Sequence, residues 1–165
     1  MTTGNPSQPR YRKRPHGMSR WFIRMPITFY RLRLGWLFGH RFLLLNHTGR
    51  KSGASRQTVL EVLRWDDAAH TPTVVSGFGS KSDWYLNVRH NPKVNIHIGR
   101  EQFDAEAVEL SPEEAAVEFI DYARRHPGAM KALAKTLDYP WDGSEASCRE
   151  MAKLLPVLKF RPTKS

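Results

Sequence analysis

LLLNHTGRKSGASRQTVLEV, residues 43–62, consists of two apolar runs joined by one basic turn. Phe42–Asn46 is apolar and Thr58–Trp65 is rich in β-branched residues, so both read as strands. The turn between them holds Thr48, Gly49, Arg50, Lys51, Ser52, Gly53 and Arg56. It is too short for the helical crossover that parallel strands need, so the pair is antiparallel.

The same spacing recurs outward from this hairpin. Thr73–Ser76 is a third short run. Lys93–Ile98 alternates, with Val94, Ile96 and Ile98 on one side, and Gln102–Leu110 follows as its hairpin partner across Gly99-Arg100. Val157–Arg161 is a last strand. Helices fill the gaps. Asp83–His90 stops before Pro92. Ser111 caps a helix that begins at Pro112, carries Glu113 and Glu114 in its first turn and runs to about Arg125. Pro127 opens another that ends near Asp138, and Ser144–Lys153 is a short one. The expected architecture is α+β: a small antiparallel β-barrel, residues 39–165, with helices packed outside it.

Charge divides the chain. Residues 1–60 hold twelve Lys/Arg and no acid, whereas residues 61–165 hold 14 bases and 16 acids, a net of −2. A nearly neutral body therefore carries a cationic front end. Residues 1–19 read as a disordered basic arm. Residues 20–38, RWFIRMPITFYRLRLGWLF, read as an amphipathic helix started by Pro26, with Phe29, Leu32 and Trp36 on one line. Its arginines interrupt it too often for a transmembrane span, and no small-residue cleavage site follows. The single cysteine, Cys148, excludes an intramolecular disulfide and suits a reducing, cytoplasmic compartment. The seven histidines show no metal-ligand spacing, so no metal site is expected.

The turn at 49–56 has two readings. Glycines allow close backbone approach, and three cations within seven residues suit a ligand with several negative charges. The same composition also makes a good basic turn facing water. A nucleotide P-loop is excluded, because Arg50 and Leu45 stand where that motif needs glycines. The later SGFGSKSDW, Ser76 to Trp84, follows a strand and precedes a helix but lacks the third glycine of a dinucleotide loop. Its small residues Ser76, Gly77 and Gly79 would let a flat ligand approach the backbone, with Asp83 to Asn87 on the adjoining helix.

The order HTGRKSG..R on a turn, then VVSGFG, then DWYLNVRHNPKVNIHIG, resembles the deazaflavin-dependent nitroreductase and quinone reductase family across residues 20–161. The resemblance implies a split β-barrel of the flavin-reductase kind and a reductase that takes hydride from coenzyme F420, with FMN a second choice. It implies that Arg50, Lys51, Ser52 and Arg56 hold the anionic part of the coenzyme. Gln57, Thr58 and Val59 would run under its ring, which Ser76, Gly77, Phe78 and Gly79 would face. Trp84, Tyr85 and Asn87 match the family's WY.N helix, which closes on the coenzyme. Tyr85 and Ser76 are candidate proton donors. The family's C-terminal pocket tyrosines are matched only in part: Tyr122 and Tyr139 are present, but Gly128, Ala129 and Met130 follow Pro127, so the pocket should differ and suit a bulkier or more apolar acceptor, with His126 and Met130 as candidate lining. The resemblance implies a small organic acceptor such as a quinone or another apolar electrophile.

Residues 10–38 could meet an anionic membrane surface, with aromatics at the headgroup boundary and arginines facing lipid. The alternatives are a nucleic-acid-binding basic module, disfavoured because the strands of the body carry no basic stripe, and a non-catalytic F420 or flavin carrier. Split barrels often pair, so a homodimer is a further expectation from the resemblance.

Overall fold

The computed structural model describes residues 39–163; the arm expected at 1–19 and the amphipathic helix expected at 20–38 lie outside them. The described chain runs β1 (Phe42–Thr48), β2 (Ser55–Asp66), β3 (Thr71–Val75), a single 3-10 turn (Gly79–Lys81), α1 (Asp83–His90), β4 (Lys93–Ile98), β5 (Glu101–Glu109), α2 (Pro112–Arg125), α3 (Pro127–Thr136), α4 (Glu145–Leu154) and β6 (Val157–Pro162). The six strands close into an antiparallel barrel in the order β1-β2-β3-β6-β5-β4. Closure removes the unpaired edges that an open sheet would present. The fold is therefore the α+β barrel that the strand spacing predicts.

The expected strand at Thr58 begins three residues earlier, because Thr48 pairs with Ser55, His47 with Arg56 and Asn46 with Gln57. These polar residues carry no apolar signal, yet their backbones continue the ladder. Near its other end β2 carries a bulge: Val62 lies opposite Val74 and Arg64 opposite Thr73, leaving Leu63 as the extra residue. The bulge sends neighbouring side chains to different cores. Val62 belongs to the barrel interior and Leu63 to the cluster under the helices.

The barrel interior is built from alternating positions: Leu43 and Leu45 of β1, Val94, Ile96 and Ile98 of β4, and Leu158 and Phe160 of β6. Tyr85 and Val88 of α1 join that cluster, so α1 lies against the barrel as part of its core. The second core joins α2, α3 and α4 through Phe119, Met130, Cys148 and Met151. A capping box starts α2, with Ser111 Oγ accepting from the Glu114 amide and Glu114 Oε2 accepting from the Ser111 amide. Glu118, nearly buried on α2, accepts Arg64 Nε at 2.8 Å and meets Lys159 Nζ at 3.3 Å, which ties the helical layer to β2 and β6.

Candidate functional site

The tip of the β1–β2 hairpin is a tight loop. The Gly49 amide donates to the Ala54 carbonyl and the Gly53 amide to the Gly49 carbonyl, both at 2.8 Å. Gly53 sits at φ +66°, where a side chain would be strained. Gly49 is fixed by space instead. A Cβ there would lie 3.0 Å from Ser52 Oγ, 3.3 Å from the Ala54 carbonyl and 3.5 Å from Arg56 Nε.

The three cations of this loop have different surroundings. Arg50 is engaged with α1. Its backbone amide donates to Asn87 Oδ1 at 3.0 Å and its Nη1 to the same oxygen at 2.9 Å. Nη1 also reaches the Asp83 carbonyl at 3.4 Å, and Nη2 reaches Asp83 Oδ1 at 3.3 Å. Lys51 and Arg56 are exposed, and no carboxylate among the described residues pairs with either. Ser52 Oγ accepts from the Ala54 amide and shapes the turn.

Beneath the loop lies His47, buried and facing the side of the sheet from which Arg56 projects. Because Asn87 Oδ1 is taken by Arg50, the amide nitrogen Nδ2 is the donor to His47 Nδ1, at 3.3 Å. The ring therefore carries its proton on Nε2. Burial, reinforced by the Arg56 cation, lowers its pKa to about 4, so it is neutral at physiological pH. The tie between His47 and Asn87 carries no sequence signal, because the partners are 40 residues apart.

The register divides the next three residues. Paired residues share a face, so Thr58, opposite core residue Leu45, lies on the side of Arg56, while Gln57 and Val59 lie on the outer face. Gln57 Nε2 donates to Asn46 Oδ1 at 2.7 Å, and the row continues through Asn95 to Asp104 on β5. The structure thus brings Arg56 and Thr58 to one face and puts Gln57 and Val59 on the other.

The turn at 76–82 leads directly into α1. Ser76 is fully buried; its hydroxyl donates to the Gly79 carbonyl at 2.7 Å and lies 2.8 Å from Ser82 Oγ. Gly79 sits at φ +71°. A Cβ on Gly77 would meet Leu133 Cδ1 of α3 at 3.6 Å, so this turn runs beside α3. Phe78 is 56% exposed, an unusual setting for a large apolar ring. Since Arg50 bonds Asp83 and Ser82 precedes it, the hairpin tip and this turn meet at the N-terminal end of α1.

Tyr85 and Trp84 follow on α1. Tyr85 is 2% exposed and its hydroxyl donates to the Glu109 carboxylate at 2.9 Å; burial and that carboxylate raise its pKa. Trp84 stands edge-on to it. Sequence reading does not anticipate Glu109, which shows only as a polar residue at the end of a strand. Both candidate proton donors, Ser76 and Tyr85, are thus committed to internal hydrogen bonds. Met130 is fully buried in the helical core. His126 is exposed at the α2–α3 junction, 5.3 Å from the Tyr122 ring.

Comparisons with known proteins bear on the family and the fold. A family model described as F420H(2)-dependent quinone reductase matches residues 23–136. An F420H(2)-dependent quinone reductase of Mycobacterium tuberculosis is 34% identical over 92 residues, which cover 52% of this chain and 58% of that protein. The chain thus matches little more than half the length of that relative. Among solved structures, an F420-H2 dependent reductase aligns with a TM-score of 0.52 at 23% identity, over 74% of this chain and 96% of the other. HutZ, a heme storage protein of Vibrio cholerae, aligns with a TM-score of 0.53 at 11% identity, over 82% and 90%. At such identities these two likenesses are likenesses of fold.

Proposed function

The chain belongs to the F420H(2)-dependent quinone reductase family, and from that premise we propose that it binds coenzyme F420 at the tip of the β1–β2 hairpin and reduces a quinone-like acceptor. The observation that supports the site is the pair Lys51 and Arg56, two exposed cations without a carboxylate partner among the described residues, on a loop held by side chains of α1. The donor set fits the group. An anionic coenzyme needs unneutralised cations on a fixed backbone, and a planar ring needs small residues at the contact.

Bound reduced F420 supplies a hydride. The protein's share is binding, orientation and exclusion of water. Lys51 and Arg56 take the anionic part, and Thr58 lies on the same face. Gly77, half-buried, is the residue of the turn that can offer backbone to the ring, while Ser76 and Gly79 are buried and hold the turn through their own hydrogen bonds. Trp84 stands on α1 beside that turn. The Ser76 and Tyr85 hydroxyls donate internally, to the Gly79 carbonyl and the Glu109 carboxylate, so either would have to give up that bond to donate to an acceptor. Phe78, exposed, and Leu133, under Gly77, give the turn apolar surroundings, which suit a flat, weakly polar acceptor such as a quinone. Residues 10–38 carry eight Lys/Arg and no acid among aromatics, a composition that would favour an anionic membrane surface where such acceptors dissolve.

The test is a fluorescence titration with oxidised F420, comparing wild type with Lys51→Ala/Arg56→Ala. Charge-assisted contacts contribute about 1.5–3 kcal/mol each, so the double variant should bind at least ~100-fold more weakly. Affinity within about twofold of wild type would remove the anion site from this loop. Oxidation of reduced F420 by a quinone under anaerobic conditions then checks turnover.

A further inference from the structure

We propose that Asn87 is the positioning residue of the cationic loop: its amide oxygen clamps Arg50 by backbone and guanidinium together, its amide nitrogen ties that clamp to His47, and Lys51 and Arg56 are thereby left as the cations that meet the ligand. The assignment rests on the coenzyme reading above, but its structural half does not depend on any ligand.

The geometry separates two jobs that the sequence runs together in one GRKSG turn. A cation that binds a polyanion must offer its charge outward. Arg50 points inward to α1, with both its backbone amide and its Nη1 on one Asn87 oxygen and its Nη2 on Asp83. Its charge is therefore committed to the helix, and it is half-buried where Lys51 and Arg56 are exposed. The two bonds to Asn87 Oδ1 form a ring through the Arg50 backbone, which fixes the direction in which the chain leaves toward Lys51. Asn87 is itself fixed. It is nearly buried, it sits on a helix whose Tyr85 and Val88 belong to the barrel core, and its Nδ2 meets His47 from the barrel side. A side chain with one acceptor and one donor at the end of a short stem is what this three-way junction needs. Leu would leave the Arg50 amide unpaired, and Gln would place the oxygen one methylene too far.

Asn87 thus acts through Arg50 rather than on the ligand, and a double-variant cycle separates the two cases. Titration with oxidised F420 of Asn87→Ala, Arg50→Ala and the double variant should show similar losses for all three. Losses that multiply in the double variant mean that Asn87 touches the coenzyme directly and overturn the proposal.

A readout without coenzyme runs beside it. Amide hydrogen exchange at Arg50 should quicken at least about tenfold in Asn87→Ala, while Leu45 and Ile96 in the barrel keep their protection. Unchanged exchange at Arg50 overturns the clamp whether or not F420 binds. Failure of wild type to bind F420, with Arg50 exchange responding as expected, sinks the functional reading and leaves the clamp standing.

Asn87→Asp gives the second variant. It keeps the oxygen for Arg50 but sets a carboxylate oxygen against His47 Nδ1. The other charged groups facing this junction are Arg56 on β2, Arg50 in the loop and Asp83 on α1. Arg50 should stay protected, and the His47 imidazole, followed by NMR, should titrate at higher pH than in wild type. A His47 titration that does not move shows that Asn87 does not hold it and overturns that half of the junction.

Discussion

The hairpin tip at 49–56 and the turn at 76–82 both bring glycines to the N-terminal end of α1, but they are held in opposite ways. The tip borrows its rigidity from Asp83 and Asn87, 33 and 37 residues away in sequence. The turn closes on itself, through Ser76, Gly79 and Ser82, within six residues. The tip leaves two charges facing outward. The turn spends its hydroxyls internally and leaves an apolar ring, Phe78, in solvent. A polyanion and a flat apolar molecule make different demands, and under the proposed function the two segments would meet them separately: one fixes charge in space, and the other keeps its hydroxyls turned inward.

The sharpest way to break this contrast lies in α3, which flanks the turn. If α3 turned Met130 toward an acceptor, truncation would alter acceptor handling and leave the fold alone. Met130 is instead fully buried among Phe119, Cys148 and Met151. Met130→Ala should therefore destabilise the protein by about 2–5 kcal/mol, read as a shift in the denaturation midpoint, with KM for the acceptor little changed. An unchanged midpoint with a raised KM would restore Met130 to the pocket and make the turn's wall larger than described.

A smaller effect sharpens the tip's side. His47 is 6% exposed, and its pKa falls from 6.5 to about 4 in the folded state. Between those values the unfolded chain takes up a proton that the folded chain refuses. Stability from this group is present above about pH 6.5 and is lost as pH falls toward 4, about 3 kcal/mol over the window. Carboxylates add their own slope there, so the informative quantity is the difference between wild type and His47→Gln. The variant should lose less stability between pH 7 and 4. Parallel profiles would mean that His47 is not held neutral beneath the loop.

The barrel is legible in the sequence because its signals are local. Alternation in Lys93–Ile98, the Gly99-Arg100 turn and the Ser111–Glu114 cap each need only neighbouring residues. The position of the cationic turn is legible for the same reason. The division of labour among its cations is not, since it depends on where α1 docks. Neither Glu109 under Tyr85 nor Asn87 over His47 can be seen before the barrel closes. Met130 is a different kind of case. Met130, Leu133, Ala134 and Leu137 fall at helical spacing and form an ordinary core stripe, which the comparison with a tyrosine-bearing family obscures.

The smallest effect falls on Phe78, and it separates the two regions most cleanly. The ring is 56% exposed, so its removal forfeits little packing, and Phe78→Ala should leave stability within about 0.5 kcal/mol of wild type. It should also leave oxidised F420 affinity nearly unchanged, because the charges proposed to hold the coenzyme sit on the other segment. If the turn forms the apolar side of the acceptor site, KM for a quinone should rise several-fold, in keeping with the ~0.5–1.5 kcal/mol that one aromatic contact contributes. A polar acceptor of similar size should respond less. An equal response to both, or a loss of F420 affinity matching that of Lys51→Ala/Arg56→Ala, would show that the two segments do not divide the work by chemistry, and the acceptor would then have to be sought on another face of α1.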